Sequence, residues 1–164
     1  MTSLVAPSPN QSKMVGMGQV ELARAPEKLG SILGSCVAIC LYSQEAKTGI
    51  MAHVVMPNSQ GAVSVPGKSV DTAVPYLLQL MAEAGVPQRQ LVARIAGGAS
   101  MFKMSQSTIQ IGQANIHATT DLLAANRIPI VGRDLGGDKG RRIQFDMTTG
   151  QVKVEIIGSE PVVI

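Results

Sequence analysis

Two side chains in this sequence form a natural pair for nucleophilic chemistry: the thiol of Cys36 and the imidazole of His53. Cys36 follows Leu33-Gly34-Ser35 and opens a dense apolar run, Cys36–Tyr42. A cysteine after Gly-Ser at the head of a strand lies where the backbone turns sharply. Peptide N–H groups in such a turn can face outward and stabilise a thiolate or an oxyanion, which marks Gly34 and Ser35 as supporting positions. Most free cysteines are instead small buried hydrophobes, so position alone leaves both readings open. His53 lies in a second apolar run, Gly49–Met56, and the polar stretch Ser43–Thr48 between the runs predicts a hairpin. A loop centred between Gln44 and Glu45 sets Cys36 opposite His53, with Cβ atoms about 5 Å apart, close enough for a thiol–imidazole contact. A loop centred between Ala46 and Lys47 sets Cys40 there instead. Cys36 and Cys40 share strand parity, but the mid-strand place of Cys40, between Ile39 and Leu41, favours packing.

The remaining candidates point away from metals and nucleotides. His117 falls in a helix of mixed polarity and reads as a surface or partly packed residue. Cys-x3-Cys along one strand is poorly shaped for zinc, and neither histidine has a partner at a ligand spacing. Gly97-Gly98-Ala99-Ser100 is not followed by the Gly-Lys-Ser/Thr of a phosphate loop, and no GxGxxG fingerprint is present. That segment reads as chain that shapes a surface or permits a tight turn, and Asp134-Leu135-Gly136-Gly137-Asp138-Lys139-Gly140-Arg141 as a charged turn.

The elements that must position these groups follow from composition and periodicity. The 164 residues are 45% apolar and 15% charged, which suits one packed domain built on Val, Ile, Leu, Ala and Met, since there is no Trp and only two Phe and two Tyr. So few aromatics exclude a base-stacking platform. The net charge of +3 is scattered, with no basic run longer than Arg141-Arg142. This argues against nucleic acid or membrane insertion as partners and leaves acidic protein surfaces open. No stretch approaches the roughly 18 apolar residues of a membrane span. The polar start, Met1–Ser12, lacks the apolar core of a signal peptide, so a cytoplasmic location with free thiols is expected. Residues 1–13 read as a flexible tail and residues 14–164 as a single domain.

Met14–Leu22 predicts a first strand, and Gly30–Ser35 a glycine- and serine-rich connection. Val70, Ala73, Val74, Leu77, Leu78 and Met81 recur at helical spacing before Gly85, with Pro75 tolerable only in a first turn. Leu91–Ala96 and Ile128–Val131 predict strands. Gln113–Asn126 predicts a second helix with a stripe at Ala114, Ala118, Leu122 and Ala125. Arg142–Met147 and Gln151–Ile157 flank Thr149-Gly150, a hairpin signal. The fold class is α/β, a sandwich of mixed, largely antiparallel sheet with two main helices.

The run Leu33–Tyr42, followed by Met51-Ala52-His53-Val54-Val55-Met56-Pro57, resembles the nucleophile and histidine motifs of the CheD family of chemoreceptor glutamine deamidases. Pro66-Gly67-Lys68, Asp71-Thr72-Ala73, Ile95–Phe102, Ile111-Gly112-Gln113-Ala114-Asn115 and Asp134–Arg141 follow in the family's order. The resemblance implies a fold similar to the catalytic domain of glutamine-deamidating toxins. It implies hydrolysis of selected glutamine side chains to glutamate on the cytoplasmic helices of methyl-accepting chemotaxis receptors, with Cys36 as nucleophile and His53 as general base. The family's third residue is a threonine five or six positions before the cysteine, where this chain has Ser31 and Gly30; Ser31 keeps a hydroxyl. No metal or organic cofactor is required. A CheC-type phosphatase is implied as a second partner. Two other readings follow from the same residues: a non-catalytic chemotaxis adaptor, and a receptor glutamyl methylesterase using the same dyad.

Overall fold

The computed structural model describes residues 11–61, 65–100 and 110–164. Most of the expected tail, residues 62–64, and Met101 and Phe102 of the family motif lie outside the described residues. In chain order the elements are β1 (Lys13–Met14), β2 (Val20–Arg24), β3 (Lys28–Leu33), β4 (Val37–Ser43), β5 (Thr48–Val54), α1 (Val70–Glu83), β6 (Leu91–Gly97), α2 (Gln110–Ala125), β7 (Ile130–Leu135), β8 (Arg141–Asp146), β9 (Val152–Glu155) and β10 (Val162–Val163). One sheet has the order β2-β5-β4-β6-β7 and the other β1-β3-β8-β9-β10. Pairing is antiparallel apart from β6–β7 and β1–β3. No described helix is long and apolar enough to cross a membrane.

Every residue of β4 and β5 is buried, as expected for strands covered on both faces. The two-residue period divides them between two cores. Val37, Ile39 and Leu41, with Ile50, Ala52 and Val54, pack among Val70, Val74, Leu77 and Met81 of α1 and Leu123 of α2. Cys36, Ala38, Cys40, Tyr42 and Met51 face the second sheet, where Leu29, Leu33, Ile143, Phe145, Val152 and Val154 meet them. The result is three layers, helices on sheet on sheet, in the α/β class that the pattern of elements predicts. Tyr42 stands edge-on to Phe145 with ring centroids 6.0 Å apart, and its hydroxyl donates to the Met147 carbonyl at 2.7 Å. That contact pins the sheets together near the end of β4.

Four expectations need correction. Met14–Leu22 is not one strand: the chain leaves β1, turns at Gly18 with φ 78°, and enters β2 in the other sheet. Lys28–Leu33 forms a strand where only a glycine- and serine-rich connection was read, because pairing with β8 overrides the weak strand propensity of Gly30 and Ser31. Pro75 lies beyond the first turn of α1, on its exposed face, and the helix runs on past it. The buried face of α2 is centred on Asn115, Thr119 and Leu123, whereas Ala125 is exposed. The apolar stripe read from the sequence is displaced by one residue because two polar side chains occupy the buried line.

Candidate active site

The β4–β5 hairpin sets the site. Its register pairs Ala38 with His53 and Ser43 with Thr48, midway between the two registers weighed from the sequence. The four-residue loop Gln44–Lys47 decides this: Lys47 takes φ 48°, the Ala46 N–H donates to Ser43 Oγ at 3.1 Å, and Thr48 Oγ1 donates to the Ala46 carbonyl at 2.9 Å. Cys36 therefore stands diagonal to His53, not opposite it, on the same face. Diagonal positions lie about 7–8 Å apart, a gap that an imidazole can span.

His53 is 3% exposed, and its ring is held from the second sheet. Nδ1 lies 3.0 Å from the Val15 carbonyl and 2.8 Å from Ser31 Oγ; Ser31 Oγ donates to the same Val15 carbonyl at 2.7 Å. A carbonyl only accepts, so Nδ1 carries the proton in this arrangement and Ser31, having spent its own hydrogen, accepts beside it. Nε2 is then a bare lone pair. It is buried and has no hydrogen-bond partner among the described residues. Burial pushes the imidazole below its ordinary value of 6.5, with the Val15 contact opposing, so the ring is neutral. The crossing between sheets builds this support. Val15 N–H donates to Gly30 at 2.8 Å, Gly18 N–H to the His53 carbonyl at 2.8 Å, and His53 N–H to Gln19 at 3.1 Å.

The turn carrying Cys36 is gripped from behind. The Gly34 carbonyl accepts from Ala99 N–H at 3.0 Å and the Cys36 carbonyl from Gly98 N–H at 2.8 Å. The intervening Ser35 carbonyl accepts from Asn115 Nδ2 at 3.1 Å. Gly97, at φ 113°, passes so close that a Cβ there would run into the Cys36 carbonyl oxygen. Gly97-Gly98-Ala99, read from the sequence as chain that shapes a surface or permits a tight turn, is the backing of the cysteine turn. The charged turn completes it: Arg141, 4% exposed, pairs with Asp134 Oδ1 at 2.5 Å and donates to the Gly136 carbonyl. Gly136 N–H in turn donates to Gly97, and Ser100 N–H to Gly137, each at 2.9 Å.

Cys36 is 7% exposed. Burial pushes its thiol up, and its own backbone N–H only partly opposes this. The activated thiolate expected from the Gly-Ser turn is thus not the resting form, because desolvation outweighs one N–H dipole. A neutral thiol shares a face with a neutral imidazole, diagonally across the hairpin and without a hydrogen bond between them. Cys40 pairs with Met51 and Arg94 in mid-strand, and complete burial pushes its thiol far up, in keeping with packing. His117 is exposed on α2. The structure thus brings Cys36, His53, Ser31, Gly34 and Ser35 to one place. Sequence reasoning missed Asn115 and Arg141; the signal for Asn115 was a carboxamide on the helix line that also carries Thr119 and Leu123.

Comparison with known proteins gives the lineage. The family described as "CheD chemotactic sensory transduction" matches residues 55–156. A relative from Methanococcus maripaludis strain C6, named probable chemoreceptor glutamine deamidase CheD, is 43% identical over 141 residues, 85% of this chain and 92% of its own length. A relative of the same name from Clostridium botulinum strain Eklund 17B is 38% identical over 154 residues, 91% of this chain and 95% of its own. A solved structure, Neisseria meningitidis protein NMB0706, has a TM-score of 0.39 at 12% identity, covering 73% of this chain and 52% of that one. Matched over residues 55–156 by the family and over 85% and 91% of its length by these relatives, the chain belongs to the CheD family.

Proposed function

We propose that the protein hydrolyses glutamine side-chain amides of chemotaxis receptors to glutamate, with Cys36 as nucleophile and His53 as general base. The observation that carries this is the His53 ring: Nδ1 is occupied by Val15 and Ser31, while Nε2 is buried, unpartnered and on the face of Cys36. The substrate class comes from the names of the relatives.

The chemistry follows from these positions. An amide is a poor electrophile, so a covalent intermediate splits one hard step into two. His53 Nε2 takes the Cys36 proton as Sγ attacks the amide carbon. The negative charge passes to the amide oxygen, facing the N–H of Cys36. The imidazolium is steadied at Nδ1 by the Val15 carbonyl and Ser31 Oγ. It returns the proton to the departing nitrogen, the C–N bond breaks, and ammonia leaves a thioester. Water gives a proton to His53 and attacks the thioester. The C–S bond breaks, Cys36 regains its proton, and glutamate remains. A CheC-type phosphatase as a second partner and a cytoplasmic setting fit this reading.

The test is to incubate the protein with cytoplasmic fragments of chemotaxis receptors and follow ammonia release and the one-dalton gain of Gln→Glu by mass spectrometry. Both products support deamidation. Methanol release from methylated fragments without ammonia would make the protein an esterase, and binding without either product an adaptor.

The pH dependence has a definite sign. The base must be neutral, and His53 loses its proton below its ordinary value. As pH falls, the acidic inflection of kcat/KM for receptor fragments is therefore expected below pH 6.5. An acidic inflection at or above 6.5 in the free enzyme would show that the ring is not held as described.

A further inference from the structure

We infer that Asn115 is a positioning residue that aims the oxyanion-binding N–H of Cys36; this rests on the deamidase reading above. Asn115 is fully buried on α2, and its Nδ2 donates to two carbonyls on two different strand ends, Ser35 at 3.1 Å and Val55 at 3.0 Å. The β4–β5 ladder stops at Val37–Val54. The carboxamide thus fills the fork where the strands part, just where Cys36 leaves the sheet and just after His53. Because both partners are acceptors, the NH2 must face them. Oδ1 therefore points away, and it has no partner among the described residues.

The consequence is directional. A trans peptide is planar, so its C=O and N–H point in opposite senses. Holding the Ser35 carbonyl at the back turns the N–H of Cys36 to the front. Among the described residues no backbone carbonyl takes that N–H, which acts on its own thiol and opposes the effect of burial there. It is the donor left to the oxygen of a substrate amide. A leucine would satisfy the packing of a buried helix face at less cost than a carboxamide with a bare oxygen. It would, however, leave two buried carbonyls unpaired and the peptide before Cys36 free to rotate.

Two reactions of the same thiol separate this role from a structural one. Deamidation passes through an oxyanion; alkylation by iodoacetamide displaces iodide at a saturated carbon and forms none. Asn115→Ala is expected to lower kcat for receptor fragments by about a hundredfold, the scale of losing an aimed oxyanion donor. KM and the alkylation rate of Cys36 should stay near the parent values. Asn115→Leu, of similar size but without a donor, should behave alike. Asn115→Ser keeps one donor, should lose less, and serves if the alanine protein fails to fold. Unchanged kcat in the folded variants overturns the assignment. So does a parallel fall of kcat and alkylation, which would mean that Asn115 places the thiol rather than the N–H. If the parent protein releases no ammonia, the deamidase reading itself falls and this inference with it.

Discussion

Cys36→Ala is expected to abolish receptor-glutamine deamidation, a loss of at least about a thousandfold in turnover, because the other thiol on this face, Cys40, is completely buried and held protonated, and the Ser31 hydroxyl is spent on the Val15 carbonyl. Cys40→Ala is the matched control. Cys40 points to the same side of β4 but is packed between Met51 and Arg94 in mid-strand. Its removal should leave turnover of the folded protein intact and lower stability by about 1–2 kcal/mol, the scale of a small cavity. The measurement is ammonia release per folded molecule beside a urea melt of each variant. Residual deamidation in the Cys36 variant at the parent rate would remove the nucleophile assignment. Equal loss of turnover in both variants would mean that the face shared by the two thiols, rather than Cys36, controls activity.

The largest expected stability effect lies one strand away. Gly97→Ala should cost about 3–5 kcal/mol, combining an unfavourable positive φ with a collision against backbone that cannot move aside. At φ 113° the added Cβ meets the Cys36 carbonyl and comes within 3.2 Å of the Val37 Cα. Relief requires β6 to pull back from β4, which takes the Gly98 N–H away from the Cys36 carbonyl. The folded fraction should therefore also lose turnover. Gly61→Ala isolates the backbone contribution, since φ there is 82° with nothing among the described residues within 4 Å of the new Cβ; it should cost about 1 kcal/mol. A Gly97→Ala protein with parent stability and turnover would show that the two strands do not approach as closely as described.

What the sequence made legible was whatever depends on local pattern. The two apolar runs, their hairpin and the shared face of Cys36 and His53 follow from alternation and from the polar break between them. The register did not follow, because Gln44–Lys47 contains none of the glycine or Asn-Gly signals that fix a turn type, and a lysine takes the left-handed position. Ser31 was singled out through a resemblance. Its strand was missed because β3 is defined by distant pairing with β8 rather than by its own residues. Asn115 and Thr119 were passed over, since the buried line of α2 was sought among its apolar residues, at Ala114, Ala118, Leu122 and Ala125. Arg141 was read as part of a charged turn, although its guanidinium is buried and spent on the loop before it.

The loop Gln44–Lys47 touches neither Cys36 nor His53, and Gln44, Glu45 and Ala46 are exposed. Surface loops ordinarily drift in length at little cost. This one is the gauge of the hairpin. If a residue were gained or lost and the pairing slid by one, every side chain of β5 would change faces. His53 would turn from Val15 and Ser31 into the packing around α1, while Ile50, Ala52 and Val54 would be driven toward the second sheet. The length of an exposed loop is thereby as heritable a requirement as the thiol itself. Among lineages carrying this hairpin, substitutions in the loop should accumulate freely while insertions and deletions of single residues should not.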